Sequence, residues 1–144
     1  MRKLIALLFA TTLSLQIAVS VAGANESVTV SSRTGWQSKS FSSPVKRISG
    51  IVGGWSVDDA KYHRVGPAGH YGNSSVSLSP YNDRKFDRKY PFGALLIEVE
   101  GKGYMYVTGP MDFQEPVRQI RVRINDRDDS LGDNGGDLTI WFEN

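Results

Sequence analysis

The segment Val117–Asn125 constrains the fold more than any other stretch of the chain. In it Ile120, Val122 and Ile124 alternate with Gln119, Arg121 and Arg123, a period of two that fits a strand with one buried face. The three aliphatics are expected to face a core and the three polar side chains to face water. The same period recurs in Ser27–Arg33, where Val28 and Val30 alternate with hydroxyl residues. It recurs again in Gly93–Glu100, where Leu95, Ile97 and Val99 oppose Leu96, Glu98 and Glu100. Val45–Trp55, Tyr104–Val107 and Leu138–Phe142 add further strand-like runs, and no long segment carries a helical period. Gly, Pro, Asn and Asp turns separate these runs. Together they predict an all-β chain, a single antiparallel β-sandwich of the jelly-roll, galactose-binding-domain-like kind. Residues 56–90 are rich in Gly, Ser, Asn, Asp and basic side chains and read as one long loop; such loops in compact domains tend to be functional or mobile.

Residues 1–24 read as a secretory signal. Arg2 and Lys3 form a charged start, Leu4 to Val21 is mostly apolar, and Ala22-Gly23-Ala24 offers a cleavage site. Thr11, Thr12, Ser14, Gln16 and Ser20 interrupt the apolar run, which argues against a membrane anchor, and nothing later is apolar for long enough to span. The expected mature unit is 25–144, exported to the periplasm or beyond. Losing Arg2 and Lys3 brings the 17 Lys and Arg down to parity with the 15 Asp and Glu, so a nucleic-acid partner is not expected. The chain has no cysteine. An exported domain without disulfides must draw its stability from its core, helped by a ligand or ion where one binds.

One stretch carries chemistry. Asp126, Asp128, Asp129, Asp133 and Asp137 crowd between the last two predicted strands, interleaved with Gly, Asn and Ser. Crowded carboxylates raise one another's pKa unless a cation intervenes. Calcium suits an all-oxygen ligand set, and the lack of cysteine or a nearby histidine disfavours zinc and copper. Asp126, Asp128 and Asp137 imitate positions of an EF-hand loop, but Leu131 stands where that loop needs Gly and strands flank it rather than helices. Gly135-Gly136 is a single fragment of a calcium β-helix repeat, without the repetition that fold requires. The plain alternative is a solvated acidic turn.

The order of these pieces resembles the bacterial galactophilic lectin family of calcium-dependent galactose binders. The matching pieces are Gly54-Trp55, the GPAG of Gly66–Gly69, FGALLIEVEG at Phe92–Gly101 and NDRDDSLGDNGGDLTI at Asn125–Ile140. The resemblance spans roughly residues 45–144 and is most specific in its last piece. It implies side-chain calcium ligands at Asp126, Asp133 and Asn134, a backbone carbonyl from Ser130, and a second carbonyl from Asp58, matched by spacing alone. It also implies that two vicinal sugar hydroxyls complete the coordination. Asp126, Arg127, Asp133 and Asn134, with His70 or Asn73 from the long loop, would then touch the sugar. Three departures bear on specificity: Asp133 stands in place of an Asn, Arg127 in place of a small apolar residue, and the His-Pro-x-Gln stretch has no counterpart. Family members can be tetrameric, so a homo-oligomer is compatible with the resemblance.

Calcium-dependent glycan binding without turnover is therefore the leading expectation, with galactose-type or acidic sugars as partners. The competing reading is a structural or adhesive β-sandwich that keeps calcium for stability alone. Other features are set aside. Glu98 and Glu100 lie two apart on a strand, as a glycosidase pair could, but read as a solvated face. His63 and His70 lack a third zinc ligand and read as ordinary loop histidines. The basic cluster Arg84–Tyr90 reads as a solvated loop that could favour sulfated or uronic sugars. Trp36 and Trp55 offer faces for stacking on a sugar ring, whereas Trp141 on the last strand reads as core.

Overall fold

The computed structural model describes residues 25–144; the expected signal at 1–24 lies outside the described residues. Six strands carry the fold: β1 (Glu26–Ser31), β2 (Gln37–Ser56), β3 (Leu95–Val99), β4 (Gly103–Val107), β5 (Met111–Ile124) and β6 (Gly135–Glu143). They pair antiparallel throughout, in the order β1-β6-β2-β5-β3-β4. The fold is all-β and sandwich-like, as the alternation predicts. Among the described residues no helix is long and apolar enough to cross a membrane.

Strand β2 joins the two halves. From Gln37 to Ile48 it pairs with β5, and from Arg47 to Ser56 with β6. Its register shifts between Ser40 and Val45, the interval containing Pro44, which has no N–H to give a ladder. Residues from both halves enter one core. Val30, Ile48, Ile97, Ile120, Ile140 and Phe142 are all members of that core, each such burial stabilising by about 1.5–3 kcal/mol. The long loop is not featureless: it holds the helix α1 (Gly72–Leu78), followed by 3-10 turns over Ser79–Arg84. Its GPAG turn needs its last glycine, because Gly69 has φ +83° and a Cβ there would lie 2.5 Å from the Phe92 carbonyl oxygen.

Four expected orientations are reversed. Arg123 is buried rather than solvated: its guanidinium packs 3.9 Å from the Phe86 ring centroid and donates to the carbonyls of Ile124 and Asp126. Trp141 is 43 % exposed, because the alternation that turns Leu138, Ile140 and Phe142 inward turns it out. Trp55, expected as a stacking face, is fully buried, and its indole N–H donates to the Gly93 carbonyl at 2.7 Å. Leu96, assigned to the polar face of β3, is also fully buried. Glu98 does remain on the outer side, paired with Arg121.

Candidate functional site

The acidic segment leaves β5 under tight control. The Asn125 amide is buried and holds the 87–91 segment: its Oδ1 accepts from the Asp87 N–H at 2.8 Å. Its Nδ2 donates to the carbonyls of Asp87, Tyr90 and Pro91. The next residue, Asp126, accepts the Arg127 N–H on Oδ1 at 2.9 Å, and that same N–H also reaches the Arg84 carbonyl. A 3-10 turn over Asp128–Asp133 follows, anchored by buried Leu131. It delivers Asn134 to the start of β6, where Nδ2 donates to the Ser32 carbonyl at 3.0 Å. That bond fixes which way the amide points, since only the NH₂ side can donate to a carbonyl.

Two oxygens are left over. Asp126 Oδ2 and Asn134 Oδ1 are buried and have no hydrogen-bond partner, although Asp126 is only 2 % exposed and Asn134 wholly buried. Each orphaned acceptor costs stability unless a ligand satisfies it. Burial pushes the Asp126 carboxyl up to about 6, and the Asp133 charge adds to that rise; the neighbouring Asn134 amide, which makes no hydrogen bond of acceptable geometry to it, and the Arg127 N–H pull it back. Both orphans favour something positive nearby.

Asp126 opens into a cavity of about 570 Å³ that Asp58, Asp129, Ser130 and Asp133 also line. The loop after β2 is tied to its rim by the Asp59 N–H, which donates to the Asp133 carbonyl at 3.0 Å. Thus Asp58, Asp126, Ser130 and Asp133, expected from distant parts of the sequence, line one pocket, and Asn134 is buried beside Asp126. Among the described residues no three His, Cys, Asp or Glu side chains gather as a metal-holding cluster. The oxygen donors here are instead mixed: two carboxylates, one amide and backbone. That mixture, with two negative charges at Asp126 and Asp133, fits the hard-oxygen chemistry of a calcium ion. The Asp58 carbonyl fits less well, since it already accepts from the N–H groups of Lys61 and Tyr62 and from Ser56 Oγ.

Other expected residues lie elsewhere. Arg127 is not part of the pocket lining; its side chain is exposed and pairs with Asp129 at 2.5 Å. Asn73 is exposed on α1. His70 faces a separate cavity and is buried to 1 % exposure, so it is no ordinary loop histidine. Sequence reasoning also missed residues that the pocket uses. Lys61, paired with Asp58 at 2.9 Å, lines it together with Tyr62, Tyr81 and Arg84. The basic cluster hinted at Arg84, but nothing in the sequence places α1 and its following turns against the acidic loop. Compared with known proteins, the chain matches no family model and no curated protein.

Proposed function

We propose that this protein binds carbohydrate through a calcium ion held by the loop before its last strand. The observation that carries the reading is the pair of buried, unbonded oxygens, Asp126 Oδ2 and Asn134 Oδ1, beside an acidic cavity. Asp126, Asp133 and Asn134 would hold the ion with the Ser130 carbonyl, and the resemblance of Asn125–Ile140 to the galactophilic lectins supports the same set. Bound calcium supplies a polarising charge for two adjacent sugar hydroxyls. Asp126 and Asp133 balance that charge and accept hydrogen bonds from the hydroxyls, while Tyr62 and Tyr81 on the cavity wall offer rings to a sugar's apolar side. Lys61 and Arg84 give the rim cationic donors that favour oxygen-rich ligands. A cavity of about 570 Å³ far exceeds what one ion needs and falls in the range of small-molecule sites. That volume favours sugar binding over a calcium kept for stability alone.

The reading is tested by melting the purified protein in EDTA and in millimolar calcium. Calcium at one hundred times its dissociation constant stabilises by ~2.7 kcal/mol, a rise on the order of 10 °C for a domain of this size. A further rise with a monosaccharide, seen in calcium and absent in EDTA, is expected. Calcium binding with no response to any sugar would leave the structural reading standing instead. No shift, with no metal found in the purified protein, would end both.

A further inference from the structure

A second cavity, of about 210 Å³, adjoins the acidic pocket and shares Leu78 and Phe92 with it. Its polar lining is opposite in character: His70, Ser75, Ser79, Asn82 and Lys85, with no carboxylate. His70 is fully buried, and neither ring nitrogen has a hydrogen-bond partner. The ring is held in place from several sides. Its backbone N–H donates to the Phe92 carbonyl at 2.7 Å, the Tyr62 ring lies 5.7 Å away edge-on, and a Cβ on Gly93 would come within 3.1 Å of it. Lys85 Nζ sits 5.3 Å from the Phe92 ring centroid. Lys39, Lys61 and Lys102 each pair with a carboxylate, but Lys85 makes no ion pair among the described residues. A partly buried ammonium without an anion and a buried imidazole without a bond are both unfavourable as they stand.

We propose that this cavity receives an anionic oxygen group, a carboxylate or a sulfate ester, carried by a glycan whose hydroxyls occupy the acidic pocket. The inference rests on the carbohydrate reading and names its substrate class. Two adjoining pockets of opposite sign select a ligand that offers neutral hydroxyls to one and a negative group to the other. Lys85 supplies the charge. Burial, with His63 nearby, holds the His70 ring down at about 4, so at neutral pH it is an uncharged ring with one N–H to donate and one lone pair to accept. Ser75 and Asn82 add neutral donors at the mouth.

The test is calorimetric titration of the calcium-loaded protein with methyl glycosides of galactose and glucose, their uronic acids and their 6-sulfates. At least one acidic sugar is expected to bind about tenfold more tightly than its neutral parent. Whether uronate or sulfate shows the gain distinguishes the two anions. Lys85→Met, which keeps an apolar stem against Phe92, is expected to abolish the preference while leaving calcium and neutral-sugar affinity unchanged. The acidic sugar alone should also shift the His70 ring nitrogens in NMR spectra. Equal binding of acidic and neutral parents, or a preference that survives Lys85→Met, would overturn the inference while the carbohydrate reading stands. Calcium binding with no sugar bound overturns both. A Lys85-dependent preference for acidic sugars that persists in EDTA supports the anion cavity and rejects the calcium mechanism.

Discussion

Arg123 carries a guanidinium that is 1 % exposed to within 2.8 Å of Asp128 Oδ1, on a carboxylate that is 73 % exposed. The cation is desolvated and its anion is not, so the pair is lopsided. The Nη2 that faces Asp128 also donates to the Asp126 carbonyl, at 2.6 Å, and Nε donates to the carbonyl of Ile124, at 3.1 Å. The backbone at the mouth of the acidic loop is therefore wrapped around a buried charge.

Arg123→Met should consequently cost about 2–4 kcal/mol, because it leaves the Asp126 carbonyl without a donor and the Ile124 carbonyl with the Asp126 N–H alone. Asp128→Asn should cost only about 1 kcal/mol, since those bonds survive and the lost carboxylate was largely in water. Urea denaturation of both variants checks this. Equal losses would show that the ion pair, and not the carbonyl bonds, carries the stability.

Asp126 and His70 should give opposite pH dependences. Folded Asp126 titrates at about 6 against 3.8 when unconstrained. Between those values the folded state keeps a proton that the unfolded state has released, so stability falls as pH rises through the window and stays lower above it. Folded His70 titrates at about 4 against 6.5, so the unfolded state gains the proton first and stability falls as pH drops from 6.5 to 4. In EDTA the two slopes offset each other in the wild type. Asp126→Asn should be more stable at pH 7, by on the order of 2 kcal/mol, with a steeper loss toward pH 4. In calcium the same variant should lose the metal-linked rise in melting temperature. A variant less stable than wild type at pH 7 in EDTA would refute the assignment.

Asn125 offers a sharper probe of geometry. Asn125→Ala removes one acceptor and a donor shared by three carbonyls, at a cost of about 2–3 kcal/mol. Asn125→Asp keeps the shape but sets an oxygen against those carbonyls, and should be the more damaging change. Hydrogen exchange at the Asp87 amide should accelerate in both. If aspartate is tolerated better than alanine, the amide orientation described above is wrong.

Where a strand had one clean buried face, the sequence could be read directly. Leu138, Ile140 and Phe142 turn inward as their spacing requires, and the same alternation turns Trp141 outward, although a tryptophan on the last strand reads as core. Arg123 fails in the other direction. The face it occupies is covered near the end of β5 by Trp36 and Phe86, and no local pattern reports such cover. The first half of β2 carries little apolar alternation between Gln37 and Pro44, yet β5 pairs with it through backbone bonds that need none. Helix α1 is too short, and too polar in Gly72-Asn73-Ser74-Ser75, to show a period. Ser130 and Asn134 entered the expected set only through the family resemblance; in the pocket, Asp126 and Asp133 were legible because carboxylates crowd in one stretch. Lys61, Arg84 and Lys85 were not, since their approach to that stretch is a matter of tertiary packing.

The pairing of β1 with β6 sets the first described strand against the last, with Glu26 opposite Phe142 and Ser31 opposite Asp137. Because β6 also separates β1 from β2, a chain in which β6 is not yet placed has no template for β1 or for the second half of β2, while the first half of β2 can still pair with β5. Until β6 is in place neither the core nor the pocket can close, so folding waits on contact between the two described strands most distant in sequence and is expected to be slow.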